Sequence, residues 1–188
     1  KFTKNFLINV EKTYKPKYIG LSIFTSESLD FGLILSYLIR KHCPSVTIMA
    51  GGKGLEVAGP NGKKHFETWL ENSVADVIVE GDAEIAIIDI VKNNLVGLVQ
   101  AKKQTKEDLD NIPLAKWEDY DLSIYQQITS QWVNSTENIE PYFSVTGSKG
   151  CVRQCTFCDV ASFWPDFIYR DPKKVAEVID FVKSSGGL

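Results

Sequence analysis

The chain lacks the features that mark membrane, secreted and nucleic-acid-binding proteins. Its apolar runs are too short to cross a bilayer, and no signal-peptide pattern opens it. A formal net charge of -3 leaves no electrostatic footprint for a nucleic-acid partner. Four cysteines among 188 residues do not make the disulfide framework of a small secreted protein. These absences predict a cytoplasmic protein without a membrane partner.

What remains is the composition of an ordinary globular protein. Hydrophobic residues make up 44% of the chain and charged residues 24%, which allows a sizeable core in one or two domains. The chain opens on Lys1, directly before a helix-like segment at 6–10, and closes at 184–188, where a helix should turn into a strand. We therefore expect a fragment of a longer protein, cut at both ends and inactive alone.

Residues 1–101 alternate between short apolar segments and helical periodicity. The predicted strands are 18–24, 46–50, 76–79 and 97–100, and the predicted helices are 28–42, 66–71 and 83–93. The apolar faces of the first and third helices are predicted at Phe31, Ile34, Leu35 and Leu38, and at Ile85, Ile88 and Val91. This alternation predicts an α/β domain with a parallel sheet covered on both sides.

The composition changes after residue 101. Residues 102–110 are highly charged and 112–120 are extended and Pro-containing, so 102–140 is predicted to be an interdomain linker. A second α/β unit is predicted at 141–188, with a strand at 142–146. A helix opens at Asp171 as N-cap and Pro172 as first helical residue, and its apolar stripe is Val175, Val178, Ile179 and Val182.

Three of the four cysteines lie within eight residues, at Cys151, Cys155 and Cys158. Thiolates bind soft metals, and their spacing differs both from paired zinc motifs and from four-cysteine ferredoxin runs. Cys43 is predicted to be a small buried hydrophobic residue at a helix end. A cluster of four irons held by three cysteines would leave one iron open to chemistry. A structural zinc site is the alternative, although no fourth cysteine or histidine lies within about twenty residues.

The cysteine spacing, with an aromatic residue before the last cysteine and Ser148, Lys149 and Gly150 in front, resembles the signature loop of the radical S-adenosylmethionine superfamily. The resemblance implies that the three cysteines hold a [4Fe-4S] cluster whose open iron chelates S-adenosylmethionine. An external donor of the flavodoxin or ferredoxin type would supply one electron. The resulting 5′-deoxyadenosyl radical would abstract a hydrogen atom from the substrate, and Phe157 would lie near the adenine.

Two basic residues flank the first cysteine, Lys149 and Arg153. Nearby positive charge favours a reduced cluster, so both are candidates for tuning its potential. Solvated loop charge is an equally good interpretation of both residues.

Further segments resemble the cobalamin-binding subgroup of this superfamily, namely 79–84, 109–113 with 117–125, and 169–175. In that subgroup a flavodoxin-like (Rossmann-like) domain precedes a partial TIM barrel, of which only the first βα unit would be present here. Ser22, Gly51 and Gly52 match positions beside the cobalamin nucleotide tail, whereas Phe24 departs from the pattern. The family's cobalt-ligating motif, Asp-x-His-x-x-Gly, would lie on a strand before Lys1, so the resemblance does not predict it within this sequence. A tight turn at 51–54, and helix capping by Glu80, Asp82 and Glu84, are the structural alternatives.

These features predict a radical S-adenosylmethionine enzyme that catalyses methyl transfer or a radical rearrangement. Cobalamin is a further expected cofactor, and no side chain stands out as a catalytic acid, base or nucleophile. The substrate, small or macromolecular, is not specified by this part of the sequence. The alternatives are a non-catalytic iron–sulfur or zinc protein, and a degenerate cobalamin-like domain that serves as a partner surface.

Overall fold

A computed structural model describes residues 2–113, 121–132, 144–153 and 155–184. The chain forms two compact units, Lys1–Lys103 and Gln104–Leu188. Among the described residues no helix combines the length and apolar character needed to cross a membrane.

The first unit is built on a four-stranded parallel sheet in the order β1-β2-β3-β4. This confirms the predicted α/β class and the parallel sheet. Its elements are α1 Phe2–Tyr14, β1 Tyr18–Ser22, α2 Ser26–His42, β2 Thr47–Gly51, α3 Lys53–Glu56, α4 His65–Glu71, β3 Val77–Glu80, α5 Ala83–Asn93 and β4 Gly97–Gln100.

Both faces of this sheet are buried, because successive side chains of each strand point to opposite sides. Ile78 belongs to a large cluster with Ile48 and Trp69. Its neighbours Val77 and Val79 pack in a second cluster with residues of α5. The sheet is therefore covered on both sides, as its sequence pattern predicts.

The buried face of α2 differs from the predicted one. Phe31 and Ile34 are each 59% exposed, whereas Gly32, Ser36 and Ile39 are buried. A Cβ added at Gly32 would lie 2.6 Å from Ile23 Cδ1 and 2.9 Å from Trp69 Cη2, so the helix lies against these side chains because residue 32 has none. The prediction that Phe31 and Ile34 face the core is wrong.

The third predicted helix, α5, shows a similar shift. Ala86 and Ile90 are its buried residues, while Ile88 and Val91 are 50% and 43% exposed. Small and large apolar residues occur all around this helix, so apolar spacing alone could not identify the face that meets the sheet.

An ion pair braces the end of α2 against the amino-terminal end of β3. Arg40 binds both carboxylate oxygens of Asp76, at 2.8 Å each, and Asp76 also accepts a 2.8 Å hydrogen bond from the Ile48 amide. Burial alone would raise the pKa of Asp76, but the hydrogen bonds from Arg40 and Ile48 outweigh it, so this pKa lies below its ordinary value.

The second unit contains short elements around one longer helix. They are α6 Lys106–Asp110, α7 Leu122–Trp132, β5 Ser148–Lys149, α8 Val160–Phe163, β6 Ile168–Tyr169 and α9 Pro172–Ser184. The strand predicted at 142–146 is not formed by Ser144, Val145 and Thr146, and residues 142 and 143 lie outside the described part. The described residues of this unit supply no parallel neighbour, and a strand needs a partner for its hydrogen bonds.

The predicted linker at 102–140 contains two helices that the sequence pattern did not predict, at 106–110 and 122–132, and residues 114–120 lie outside the described part. Thr105 and Asp108 form a capping box that starts α6. Lys106 then pairs with Asp110 one turn later, at 2.7 Å. The high charge that predicted a linker is thus the charge of a capped helix.

Helix α9 begins as predicted. The Asp171 carboxylate accepts a 2.9 Å hydrogen bond from the Lys173 amide, which makes Asp171 the N-cap before Pro172. Val178 and Val182 are buried, but Ile179 is 42% exposed and does not belong to the packed stripe.

Candidate functional site

A short antiparallel ribbon closes the loop that carries the three clustered cysteines. Ser148 pairs with Tyr169 and Lys149 pairs with Ile168. The Arg170 amide extends this ribbon with a 2.9 Å hydrogen bond to the carbonyl of Gly147. The loop 150–167 therefore begins and ends at the same two-stranded ribbon.

Gly150 sets the direction of the chain as it enters the loop. Its φ of +79° lies in the left-handed region, where a side chain is disfavoured. A Cβ at this position would collide with the carbonyl oxygen of Asp166 and lie 3.0 Å from that of Trp164. A glycine is therefore required before Cys151, because the end of the same loop packs against this position.

The three cysteines of the loop are all thiols without a disulfide partner. Cys151 and Cys158 are half-buried, and Cys155 is exposed. The Cys151 sulfur accepts a 3.3 Å hydrogen bond from the Arg153 amide, and the Cys158 amide donates to the Cys155 carbonyl at 3.1 Å. One short loop thus presents three sulfur donors.

This donor set fits an iron–sulfur cluster by its chemistry, because thiolates are the usual ligands of such clusters. Within the described residues the three sulfurs do not converge into a group that could hold a metal ion. Binding would require the loop to bring the three sulfurs closer together. The fit therefore rests on the type, number and shared loop of the donors.

Cys43 does not join this group. It is 1% exposed at the C-cap of α2 and belongs to the large core cluster, as predicted. Burial raises the pKa of the Cys43 thiol, which disfavours the thiolate form that metals require.

Phe157 projects from the cysteine loop into solvent. It is 88% exposed, immediately before the half-buried Cys158. An exposed ring beside candidate metal ligands is an available stacking surface for a planar group. Its predicted contact with adenine stays a prediction.

The candidate cobalamin residues lie at the carboxyl edge of the sheet, where ligands of open α/β sheets bind. Ser22 ends β1 and is exposed, and it stands opposite Gly51 at the end of β2. Gly52 follows directly and opens α3. The sheet thus brings these three residues together.

The glycine pair has a structural reason within the chain itself. Gly52 has a φ of +110°, and a Cβ there would collide with the carbonyl oxygen of Ile23. A Cβ on Gly51 would lie 3.3 Å from the carbonyl oxygen of Val79. Neighbouring strand ends therefore pack against both glycines, and their role toward a nucleotide tail stays a prediction.

A buried ion pair at this edge was not found from the sequence. Lys53 Nζ lies 3.1 Å and 3.0 Å from the two carboxylate oxygens of Glu56, with side chains only 9% and 17% exposed. Glu56 also accepts a 3.0 Å hydrogen bond from the Gly81 amide. The pair therefore links the turn after β2 to the turn after β3. The spacing of three residues between Lys53 and Glu56 was the sequence signal that could have predicted this ion pair.

Glu80 belongs to the same edge and does not cap α5. Its carboxylate accepts hydrogen bonds from Lys64 at 2.7 Å and Gln100 at 3.3 Å. The hydrogen bond from Lys64 lowers the pKa of Glu80. Asp82 occupies the N-cap position, but its side chain makes no capping hydrogen bond.

No family model matches the chain. The chain is 25% identical to the anaerobic magnesium-protoporphyrin IX monomethyl ester cyclase of Rubrivivax gelatinosus, over 89% of this chain and 31% of that protein. It is 24% identical to the cytidylyl-2-hydroxyethylphosphonate methyltransferase of Streptomyces wedmorensis, over 94% of this chain and 38% of that protein. A cyclase of the same description from Synechocystis sp. is 23% identical, over 82% of this chain and 31% of that protein.

These distant relatives support the radical S-adenosylmethionine superfamily at the level of the superfamily alone. The chain spans about a third of the length of the relatives that it matches.

Proposed function

We propose that this chain is the cluster-binding part of a radical S-adenosylmethionine enzyme, with Cys151, Cys155 and Cys158 as the ligands of a [4Fe-4S] cluster. The observation that carries the proposal is the single loop with three disulfide-free cysteines, closed at its base by β5 and β6. The distant relatives support the same superfamily. A reducing compartment such as the cytoplasm suits three exposed or half-buried thiols.

The residues of the loop would then divide the work of binding. When bound, the cluster supplies an open iron for S-adenosylmethionine and the electron that cleaves its sulfonium. Gly150 and the ribbon fix where the first ligand stands. Phe157 offers an exposed ring to the adenine. The electron would come from an external flavodoxin or ferredoxin, for which Cys155 marks the solvent-open side of the loop.

The first unit is proposed as a flavodoxin-like cobalamin-binding domain, with the ligand at the edge formed by Ser22, Gly51 and Gly52. The parallel sheet supports this, because such sheets bind ligands beyond their carboxyl ends. With cobalamin the reaction would be a methyl transfer, and without it a radical rearrangement. One relative is named as a methyltransferase and two as cyclases, which fits this range of outcomes.

Anaerobic reconstitution with iron and sulfide tests the cluster. We expect about four irons and four sulfides per chain, together with broad visible absorption. Adding S-adenosylmethionine should change the electron paramagnetic resonance spectrum of the reduced protein. Changing each loop cysteine to Ala should abolish the signal. Cys43→Ala is the matched control, since Cys43 is buried in the first unit and should leave the iron content unchanged.

Two results would refute the proposal. One is zinc without iron in anaerobically purified protein, which would favour a structural metal site. The other is an unchanged chromophore when all three loop cysteines are replaced.

Cobalamin is tested separately by titrating the protein with hydroxocobalamin and following its absorption. Binding that is lost in Ser22→Trp, where a bulky side chain stands on the exposed strand end, would support the proposed edge. Binding that persists in this variant would place cobalamin elsewhere.

A further inference from the structure

We propose that Lys149 is a fixed positive charge that raises the reduction potential of the cluster on the neighbouring loop, and that Gln104 is the positioning residue that holds it. The inference rests on the proposed function, because it assumes the cluster ligated by Cys151, Cys155 and Cys158. It separates Lys149 from Arg153, which the sequence presents as an equal candidate.

The ammonium group of Lys149 has a defined partner. Its Nζ donates a 2.9 Å hydrogen bond to the Oε1 of Gln104. Gln104 is 7% exposed, so its side chain is almost fully removed from solvent. Buried amide groups in proteins are nearly always hydrogen-bonded, which favours this contact. The contact also restricts the lysine side chain, which would otherwise sample many rotamers.

The backbone of Lys149 is fixed as well. It pairs with Ile168 in the ribbon, and the next residue, Gly150, is packed against the carbonyls of Trp164 and Asp166. Cys151 follows directly. Both ends of the lysine are therefore anchored, two residues from the first proposed ligand.

Arg153 stands at the same sequence distance from Cys151 but in a different environment. Lys149 is half-buried, whereas Arg153 is exposed. Water and salt screen an exposed charge strongly, and a partly buried charge much less. Adding an electron makes a thiolate-ligated cluster more negative, so a poorly screened cation nearby favours the reduced state. Lys149 should therefore affect the potential more than Arg153.

The test is the midpoint potential of the cluster in the reconstituted full chain, followed by anaerobic spectroelectrochemical titration without S-adenosylmethionine. Lys149→Gln should shift the potential to a more negative value. Lys149→Arg keeps the charge and should stay near the unmodified chain. Arg153→Gln is the matched control and should shift the potential less than Lys149→Gln does.

Variants of Gln104 provide a second, independent test. Gln104→Glu keeps the acceptor but adds a negative charge beside the ammonium, so the potential should become more negative although Lys149 is intact. Gln104→Leu removes the acceptor without adding charge and should give a smaller shift. A purely structural role of this contact would not order the variants by charge.

Equal shifts in Lys149→Gln and Arg153→Gln, or an unchanged potential in Lys149→Gln, would overturn the tuning role. An unchanged potential in Gln104→Glu would overturn the positioning role. If Lys149→Gln fails to take up iron, the order of Gln104→Glu and Gln104→Leu decides. Failure of the unmodified chain to form a cluster would instead refute the proposed function.

Discussion

The two candidate sites are both loops at strand ends, but they are supported in different ways. The sheet edge of the first unit rests on four paired strands and two buried clusters. The cysteine loop of the second unit rests on two pairs of residues in a ribbon. Among the described residues, that unit contributes only Leu109, Val178 and Val182 to the buried hydrophobic set.

The difference teaches how each site is shaped. At the sheet edge, steric fit around Gly51 and Gly52 defines the turn before any ligand arrives. In the second unit, polar contacts replace a large core. The buried Arg170 donates to the carbonyls of Leu109 and Ile112 at 2.9 Å and 3.1 Å, and Asp110 accepts from the Asp171 amide at 2.7 Å. A metal that gathers the cysteines would add most to the region with the smaller core.

The largest effect should come from the core of the first unit. Trp69 is 2% exposed and lies in the gap left by Gly32. Trp69→Ala should lower the free energy of unfolding of this unit by about 3–5 kcal/mol, because it opens a large cavity. Urea unfolding followed by circular dichroism measures this change. Phe31→Ala is the control, and its cost should stay within about 1 kcal/mol because Phe31 is exposed. Equal losses of unfolding free energy in the two variants would indicate that Phe31 is part of the core.

The next effect sharpens the claim that the sheet edge is shaped by sterics. Gly52→Ala should cost about 2–4 kcal/mol, because its φ of +110° and the carbonyl of Ile23 both exclude a Cβ. Gly62→Ala is the matched control, with a φ of +76° but nothing within 4 Å of the added Cβ. It should cost about 1 kcal/mol. Thermal unfolding of both variants gives the comparison, and similar costs would mean that the close approach is unimportant.

A third change addresses the polar support of the second unit. Arg170→Met should cost about 1–3 kcal/mol, because it leaves the carbonyls of Leu109 and Ile112 without their donor. Amide hydrogen exchange should accelerate at Asp171 and in α9, while β2 and β3 keep their protection. Unchanged exchange in α9 would show that the apolar contacts of Val178 and Val182 suffice.

The smallest effect concerns the brace between Arg40 and Asp76. The folded pKa of Asp76 is depressed, so its stabilisation is present above the unfolded value of about 3.9 and is lost as the pH falls through the folded value. Asp76→Asn should cost about 1–2 kcal/mol at neutral pH, because both side chains are about one-third exposed and partly screened.

Stability of this variant and of the unmodified chain should converge in acid, below both pKa values. Unfolding measured from pH 7 down to pH 2 tests the convergence. A difference that stays constant across this range would assign the effect to packing rather than to charge.

Periodicity predicted much of the first unit. The last strand and the third predicted helix agree with β4 and α5 in their bounds, and the other three strands shift or shorten by one or two residues. The buried faces of α2 and α5 were mispredicted, because a glycine or alanine marks the contact and apolar spacing does not identify it. The helices at 106–110 and 122–132 were missed, because charge and proline were interpreted as a linker.

Some features of the candidate sites also follow from the sequence, and others depend on the folded structure. Cys151, Cys155 and Cys158 are adjacent in the chain, so their shared loop follows from the sequence alone. The meeting of Ser22 and Gly51 follows from parallel pairing, which the alternation of strands and helices predicts. The contacts of Glu56 with the Gly81 amide and of Lys149 with Gln104 join segments that are distant in the chain, so they depend on side-chain placement in the folded protein.

The sequence by itself determined the fold class of the first unit and the presence of three thiols in one loop, because backbone periodicity and thiol spacing are local properties. Only the tertiary structure decided which basic residue is held beside the cysteines and which glycines are required by packing. Those outcomes depend on the partner across the gap, such as Gln104 for Lys149 and Ile23 for Gly52, and that partner is distant in the chain.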